Sequence, residues 1–467
     1  MNMKDVGEKI FGTDGVRCIA NGIFMNPFFV SKLAFAIYKV MLSNNTNKKF
    51  KVIIAKDTRR SGYMIENALS STFMALGAHV ILVGPIPTPS LPFLISSREA
   101  DIGFMISASH NHHEDNGIKI FAKNGFKISD ENEKAIEKIL SNENEFSFSN
   151  LSNFLANPAE IGTLSRIHNT GEQYSDFIFN KLKRDIKNDL SGMKIVVDCA
   201  NGAAYKTANF LLNKLNAEVI LINNKPNGLN INDNCGAIYP EKMSAEVVKQ
   251  KADLGIALDG DGDRIVLCDQ NGEIIDNDKL MAIIAVYYKK REKLQKNTLV
   301  ATILSNKGME VFLNNEGIQV HRTPVGDKHI AEAMKNHQFN FGGEKSGHII
   351  FNDYSSSGDG LLTGAFIACI LRESGLKASE IFQDVNLFPQ ITRNLPYTKN
   401  DSMEILNDDQ FRRTISSFEE RLGDHGRILV RKSGTEKKIR LMAEGMDLMK
   451  LNLILDSLTI FLNEIIF

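Results

Sequence analysis

Short, almost wholly apolar runs recur along this chain, each of strand length and several emptying into loops of Gly, Asp, Asn or Ser. Lys51-Val-Ile-Ile-Ala55, Val80-Ile-Leu-Val83, Asp101-Ile-Gly-Phe-Met-Ile106, Lys194-Ile-Val-Val-Asp198, Leu254-Gly-Ile-Ala-Leu258 and Leu299-Val-Ala-Thr-Ile-Leu304 are such runs. None is long enough for a helix, and helical patterns precede them or lie between them, at about 27–42, 63–77, 241–251 and 278–293. Strands buried on both faces and alternating with helices imply sheets covered by helices, an α/β architecture.

At 467 residues the chain exceeds what one core supports. Its last part reads differently: strand-like Ile391-Thr-Arg393, an amphipathic helix at about 408–422, two strands flanking Lys432–Glu436, and a closing helix. The expectation is three similar mixed α/β sheet domains followed by a smaller α+β domain, at 1–155, 156–256, 257–374 and 378–467. Residues 141–160, rich in Ser, Asn and Glu, read as a linker, and Ile265–Ile275, turning at Asn271-Gly272, reads as a hairpin near the start of the third domain.

Hydrophobic residues at 43% and charged residues at 24% describe an ordinary globular chain. A net charge of −1 and a pI near 6.8 argue against nucleic acid or an anionic membrane as partner. No run has the length of a membrane span, and the first residues lack a signal-peptide apolar region. Five scattered cysteines without a CxxC pattern read as reduced thiols, so a cytoplasmic setting is expected.

Chemistry concentrates in loops that follow or flank strands. After Ile106 come Ser107, Ser109 and His110, with Lys119 beyond Gly117. A hydroxyl nucleophile suits a loop held at its base by a buried strand, although such a turn, taken alone, more often caps a helix or closes a hairpin. After Leu258 come Asp259, Asp261 and Asp263, alternating with glycine. Three carboxylates so close repel one another unless a cation neutralises them, and hard oxygen ligands suit Mg²⁺. An EF-hand is excluded, because its sixth position would be Arg264 and its twelfth Gln270. Glu344 and Ser346, in Gly342-Gly-Glu-Lys-Ser-Gly-His348, suit a clamp for neighbouring sugar hydroxyls or, equally, a helix-capping turn. Arg431-Lys-Ser-Gly-Thr-Glu436, with Arg440 beyond it, offers cations, hydroxyls and N–H groups around a glycine, the chemistry of phosphate binding or of an ordinary exposed hairpin. Near the N-terminus, Phe11-Gly-Thr-Asp-Gly-Val-Arg17 suggests close backbone approach with Arg17 turned to an anion. There is no Walker-type or GxGxxG loop, so nucleotide binding has no support. A serine, a divalent-metal loop and a phosphate clamp together suggest phosphoryl transfer through a phosphoserine.

Four ordered motifs, Ser107-Ala-Ser-His-Asn111, Asp259-Gly-Asp-Gly-Asp-Arg264, Gly343-Glu-Lys-Ser-Gly-His348 and Arg431-Lys-Ser-Gly-Thr-Glu436, make the chain resemble the α-D-phosphohexomutase superfamily over nearly its whole length. The resemblance implies four domains around a central cleft and Ser109 as the phosphoryl carrier, with His110 beside it. It implies Mg²⁺ held by Asp259, Asp261, Asp263 and the phosphoserine oxygen. Arg17 and Arg264 match positions near the reacting phosphoryl group, and Lys119 a proton-transfer position. Glu344 and Ser346 match sugar contacts, while Arg431, Ser433, Gly434, Thr435 and Arg440 match a phosphate site in the last domain. The implied partner is a small phosphosugar, and the implied intermediate is a 1,6-bisphosphate. A homodimer is the expected assembly.

Phe11–Arg17 and Val325-Gly-Asp-Lys328 look like the branch that interconverts glucosamine 6-phosphate and glucosamine 1-phosphate through glucosamine 1,6-bisphosphate. There Asp327 could favour an ammonium sugar by charge. The alternatives are a mutase of plain hexose phosphates and a sugar-phosphate-binding protein without turnover. Three positions depart from the family: His112 and Lys437 where proline is usual, and Cys18 where glycine is usual. His112 and His113 read as two isolated imidazoles with no third ligand nearby in sequence, which argues against zinc.

Overall fold

The computed structural model of the chain describes residues 9–12, 14–42, 49–186, 189–396, 409–423, 425–432 and 438–466, and the apolar runs stand in it as strands. The first sheet holds β1 (Phe11–Gly12), β2 (Gly15–Ile19), β3 (Lys51–Lys56), β4 (His79–Pro85), β5 (Ile102–Ile106), β6 (Asp115–Ala122) and β7 (Leu164–Arg166). Their order is β1-β2-β6-β5-β3-β4-β7. β3 runs parallel to β4 and β5, whereas β6 folds back antiparallel on β5 and β2 pairs antiparallel with β6. Helices Pro27–Met41 and Ser61–Ala75 supply Leu33, Ile37, Leu69 and Phe73 to a core shared with Val52, Ile54 and Phe104. Asn26 opens the first of these helices, its side chain accepting the Phe29 N–H ahead of a proline at the first turn.

The second sheet holds β8 (Lys194–Asp198), β9 (Glu218–Ile222), β10 (Leu254–Leu258), β11 (Ile265–Cys268) and β12 (Ile274–Ile275), in the order β12-β11-β10-β8-β9. β8 is parallel to β9 and β10, and β11 turns back antiparallel on β10. The hairpin placed in the third domain by the sequence thus completes the second sheet. The loop from 259 to 264 is too short for a crossover, so β11 pairs with the strand it has just left. β7 likewise pairs with β4, carrying the first sheet past residue 155.

The third sheet holds β13 (Thr298–Thr302), β14 (Gln319–Thr323), β15 (Phe341–Gly343) and β16 (Ile349–Phe351), in the order β14-β13-β15-β16. Helix Gly360–Ser374 is buried without a break from Gly360 to Leu371. Its apolar residues on every face fit a helix enclosed by protein rather than lying on a surface.

The chain divides into two compact units, residues 1–303 with 321–382 and residues 304–320 with 383–467. In the smaller unit β17 (Gln390–Pro396), β18 (Arg427–Lys432) and β19 (Lys438–Glu444) form an antiparallel sheet in the order β17-β19-β18. Leu441 packs there with Leu451, Leu455 and Leu458 of helix Leu448–Ile466. No helix among the described residues is long and apolar enough to cross a membrane.

Candidate active site

β5 ends at Ile106 and delivers Ser109 into a left-handed backbone conformation, φ 52°, which a residue with a Cβ adopts only when its surroundings impose it. The surroundings do so. The Ser109 N–H donates to Ser107 Oγ at 2.8 Å, and Ser107 Oγ donates to Asp57 Oδ2 at 2.7 Å. The Ser109 carbonyl accepts from Arg59 Nη2 at 3.0 Å and from Asn232 Nδ2 at 2.9 Å. Arg59 is fully buried, pairs with Asp57 at 2.8 Å, and also donates to the carbonyls of Asn111, His112 and Asp115.

The three aspartates follow β10, all buried, with one carboxylate oxygen from each lying within 4.8 Å of the others. Ser109 Oγ donates to Asp259 Oδ2 at 2.6 Å, joining the hydroxyl loop of the first sheet to the acidic loop of the second. Gly260 permits this approach: a Cβ there would stand 2.6 Å from the Ser109 carbonyl oxygen. Asp259 Oδ1 accepts the Arg264 N–H at 3.1 Å, whereas Asp261 Oδ1 and Asp263 Oδ1 are buried without a hydrogen-bond partner. Burial, then the charges of Asp263 and Asp261, push the Asp259 carboxyl well above its ordinary range. Clustered carboxylates with orphaned buried oxygens are what a hard divalent cation would satisfy, and these residues fit one.

Lys119 projects from β6, where it pairs in register with Met105, and reaches Asp261 and Asp263 at 2.8 Å and Asp14 at 3.0 Å. Burial works against its charge, but the three carboxylates outweigh it and hold Lys119 well above the ordinary lysine range. Arg17, on β2, pairs with Asp14 at 2.5 Å. Its Nε and that of Arg264 are buried without hydrogen-bond partners, leaving donor capacity for an anion. His110 behaves oppositely to Lys119. Burial, then the charges of Arg264 and Arg17, lower it to about 4, and its Nδ1 is buried without a partner. The site therefore pairs a firmly protonated lysine with a neutral imidazole.

Glu344 and Ser346 come together, Ser346 Oγ donating to Glu344 Oε2 at 3.3 Å while Glu344 Oε1 accepts the Gly326 N–H at 2.9 Å. Gly347, at φ 90°, lets this turn press on β11: a Cβ would stand 2.2 Å from the Ile265 carbonyl oxygen. Asp327 is not a free anion. Lys127 bridges it to Asp14, and His348 lies 3.5 Å from it and 3.7 Å from Asp263. Its charge is already balanced, which weakens the idea that Asp327 selects an ammonium sugar.

In the smaller unit Arg431 and Arg440 face each other in register on β18 and β19. Burial and then the Arg440 charge lower the Arg431 guanidinium, a like-charge pairing that an anion would relieve. Ser433, Gly434 and Thr435 lie outside the described residues.

Sequence reasoning gave no role to Asp57, Arg59, Asn232 and Thr88. Thr88 Oγ1 donates to Asp261 Oδ2 at 2.5 Å. A signal existed for the first pair. Asp57-Thr-Arg-Arg60 follows β3, the parallel neighbour of β5, so its loop had to emerge beside the serine loop. Asn232, in a loop of the second sheet, left no comparable mark.

The chain matches the phosphoglucomutase/phosphomannomutase family throughout: alpha/beta/alpha domain I over residues 8–147, domain II over 172–272, domain III over 276–388, and the C-terminal domain over 392–459. It is 45% identical to a phosphoglucosamine mutase of Brucella anthropi, covering 94% of each chain. A phosphoglucomutase/phosphomannomutase family protein of Burkholderia thailandensis shares the fold at a TM-score of 0.78 and 21% identity, covering 97% of this chain and 96% of that one. An N-acetylphosphoglucosamine mutase of Aspergillus fumigatus, solved with GlcNAc-6P and magnesium, superposes at 0.65 and 17% identity over 95% and 93%. With all four domains matched in order, and the serine and aspartate loops meeting in one buried site, the chain belongs to the phosphoglucomutase/phosphomannomutase family.

Proposed function

We propose that this chain interconverts glucosamine 6-phosphate and glucosamine 1-phosphate through phosphorylated Ser109 and a glucosamine 1,6-bisphosphate intermediate, serving amino-sugar and cell-wall precursor synthesis. The observation that carries the reading is the 2.6 Å contact of Ser109 Oγ with Asp259, inside a buried cluster of carboxylates and cations. The glucosamine preference is supported by the 45% identical relative rather than by a contact to a 2-amino group.

Asp259, Asp261, Asp263 and the Ser109 oxygen would hold Mg²⁺. Bound there, it would neutralise charge on the transferring phosphoryl group. In the forward half-reaction the P–O bond to Ser109 Oγ breaks as a P–O bond to the sugar's 1-hydroxyl forms. The bisphosphate turns over, and the return transfer moves the 6-phosphoryl group to Ser109. His110, neutral and with Nδ1 unpartnered, would stand beside the reacting groups as a hydrogen-bond partner, and the proton shed by the attacking hydroxyl would end on the departing Ser109 oxygen. Lys119, held protonated by Asp14, Asp261 and Asp263, would supply positive charge at the proton-transfer position. Arg17 and Arg264 would steady the phosphoryl oxygens, Glu344 and Ser346 the sugar hydroxyls. Asp327 would act through Lys127 and His348. Arg431, Ser433, Gly434, Thr435 and Arg440 would hold the phosphate that does not react. Five free cysteines, four of them buried, suit a reducing compartment, and we place the enzyme in the cytoplasm.

The test joins intact mass with turnover. Wild type should carry an added mass of about 80 Da on some molecules, mapping to Ser109, and Ser109→Ala should lose it together with nearly all mutase activity. Normal turnover by Ser109→Ala would end the mechanism. Preference for glucose or mannose phosphate over glucosamine phosphate by tenfold, about 1.4 kcal/mol, would end the substrate assignment alone.

A further inference from the structure

We propose that His112, His113 and Glu114 form a second metal site, separate from the aspartate cluster, that takes a transition-metal ion such as Zn²⁺. The third ligand absent from the sequence reading is Glu114. One ligand atom from each of these residues lies within 4.8 Å of the other two, and the imidazole rings stand 4.3 Å apart at 60°. The Nδ1 of His113 is shielded from solvent and has no hydrogen-bond partner. A shielded ring nitrogen without a hydrogen-bond partner is uncommon and leaves that atom available as a ligand.

The donor set decides the ion. Two imidazoles and one carboxylate match zinc sites that keep a position open, whereas the all-carboxylate cluster suits a hard cation. The two sites would therefore sort metals by ligand type. His112 and Glu114 are exposed, so the entry side is open and both side chains can swing inward to bond lengths of about 2.0–2.2 Å. The base beneath them is rigid, because Arg59 holds the carbonyls of His112 and Asp115. That same guanidinium holds the carbonyls of Ser109 and Asn111, so an ion at 112–114 would tie down the loop that carries the nucleophile.

The experiment titrates Zn²⁺ into EDTA-stripped, dialysed full-length protein at saturating Mg²⁺, by calorimetry. Wild type and Asp261→Asn should each bind one Zn²⁺ at this site. Glu114→Gln should weaken it at least tenfold, and the double variant His112→Ala, His113→Ala should abolish it while keeping the wild-type circular dichroism spectrum. A milder pair, His112→Gln and His113→Gln singly, guards against misfolding of the double variant and should each weaken Zn²⁺ at least tenfold. Equal Zn²⁺ affinity in wild type and all histidine variants would overturn the site, as would loss of binding in Asp261→Asn. Because the readout is binding, failure here leaves the mutase reading untouched.

Discussion

Arg59 and Asn232 donate to the same two carbonyl oxygens, those of Ser109 and Asn111, at distances between 2.8 and 3.0 Å. The arginine follows β3 of the first sheet, and the asparagine lies in a loop of the second. The serine loop is thus gripped by two sheets, neither of which the nucleophile's own motif identifies. The grip holds Ser109 in its left-handed conformation, which otherwise costs about 1–3 kcal/mol.

Asn232→Gly removes one partner of that grip without straining the backbone, since Asn232 itself sits at φ 56°. We expect kcat to fall by roughly ten- to a hundredfold through misplacement of Ser109, with KM within about twofold. Stability should drop by about 1–3 kcal/mol for the lost buried amide bonds. Steady-state kinetics beside a denaturant titration measure both, and an unchanged kcat would show that Arg59 alone suffices.

Chelation should abolish turnover and added Mg²⁺ should restore it. Asp261→Asn should weaken Mg²⁺ binding at least tenfold yet leave the fold intact, because it removes a charge from a self-repelling cluster as well as a ligand. Activity that persists in excess EDTA would rule out the cation role of Asp259, Asp261 and Asp263.

Arg431→Ala should raise KM for the sugar phosphate by roughly tenfold or more, with Arg431→Lys intermediate, since lysine keeps the charge and loses the fork. KM unchanged in both variants would detach β18 from phosphate recognition.

Asp359 caps helix Gly360–Ser374 by accepting the Leu362 N–H, and it takes the Tyr174 hydroxyl as well. Burial raises its carboxyl to about 6, above the ordinary 3.8, despite those hydrogen bonds. The folded state therefore binds this proton more tightly than the unfolded chain. Folding should gain stability as pH falls from above 6 towards 4, by about 3 kcal/mol at most. The melting-temperature gap between wild type and Asp359→Asn should move in the wild type's favour from pH 7.5 to pH 5. A gap independent of pH would refute the assignment.

Much of this architecture was legible because each chemical loop is attached to an apolar strand. Asp101–Ile106 and Leu254–Leu258 announce themselves by composition, and the loops after them carry Ser109 and Asp259. What the sequence hid were relations across sheets. Nothing in the residues around Asn232 says that its amide ends on Ser109, 123 positions away. Lys127 gave no sign of bridging Asp14 to Asp327. The hairpin Ile265–Ile275 looked like part of a third domain because it follows a functional loop, yet loop length alone required it to pair with β10. Glu114 carries no mark of a ligand in the sequence, because its nearness to both imidazoles arises only when the turn folds.

The contact between Ser109 and Asp259 spans 150 positions of chain. At translation rates of about 5–20 residues per second, the ribosome needs roughly 8 to 30 s to make that interval. Throughout it the emerging first sheet already owns its hydroxyl but none of the three aspartates. On the proposed mechanism the unfinished protein is chemically silent, and the competence to carry a phosphoryl group arrives only when a second sheet exists to dock against the first.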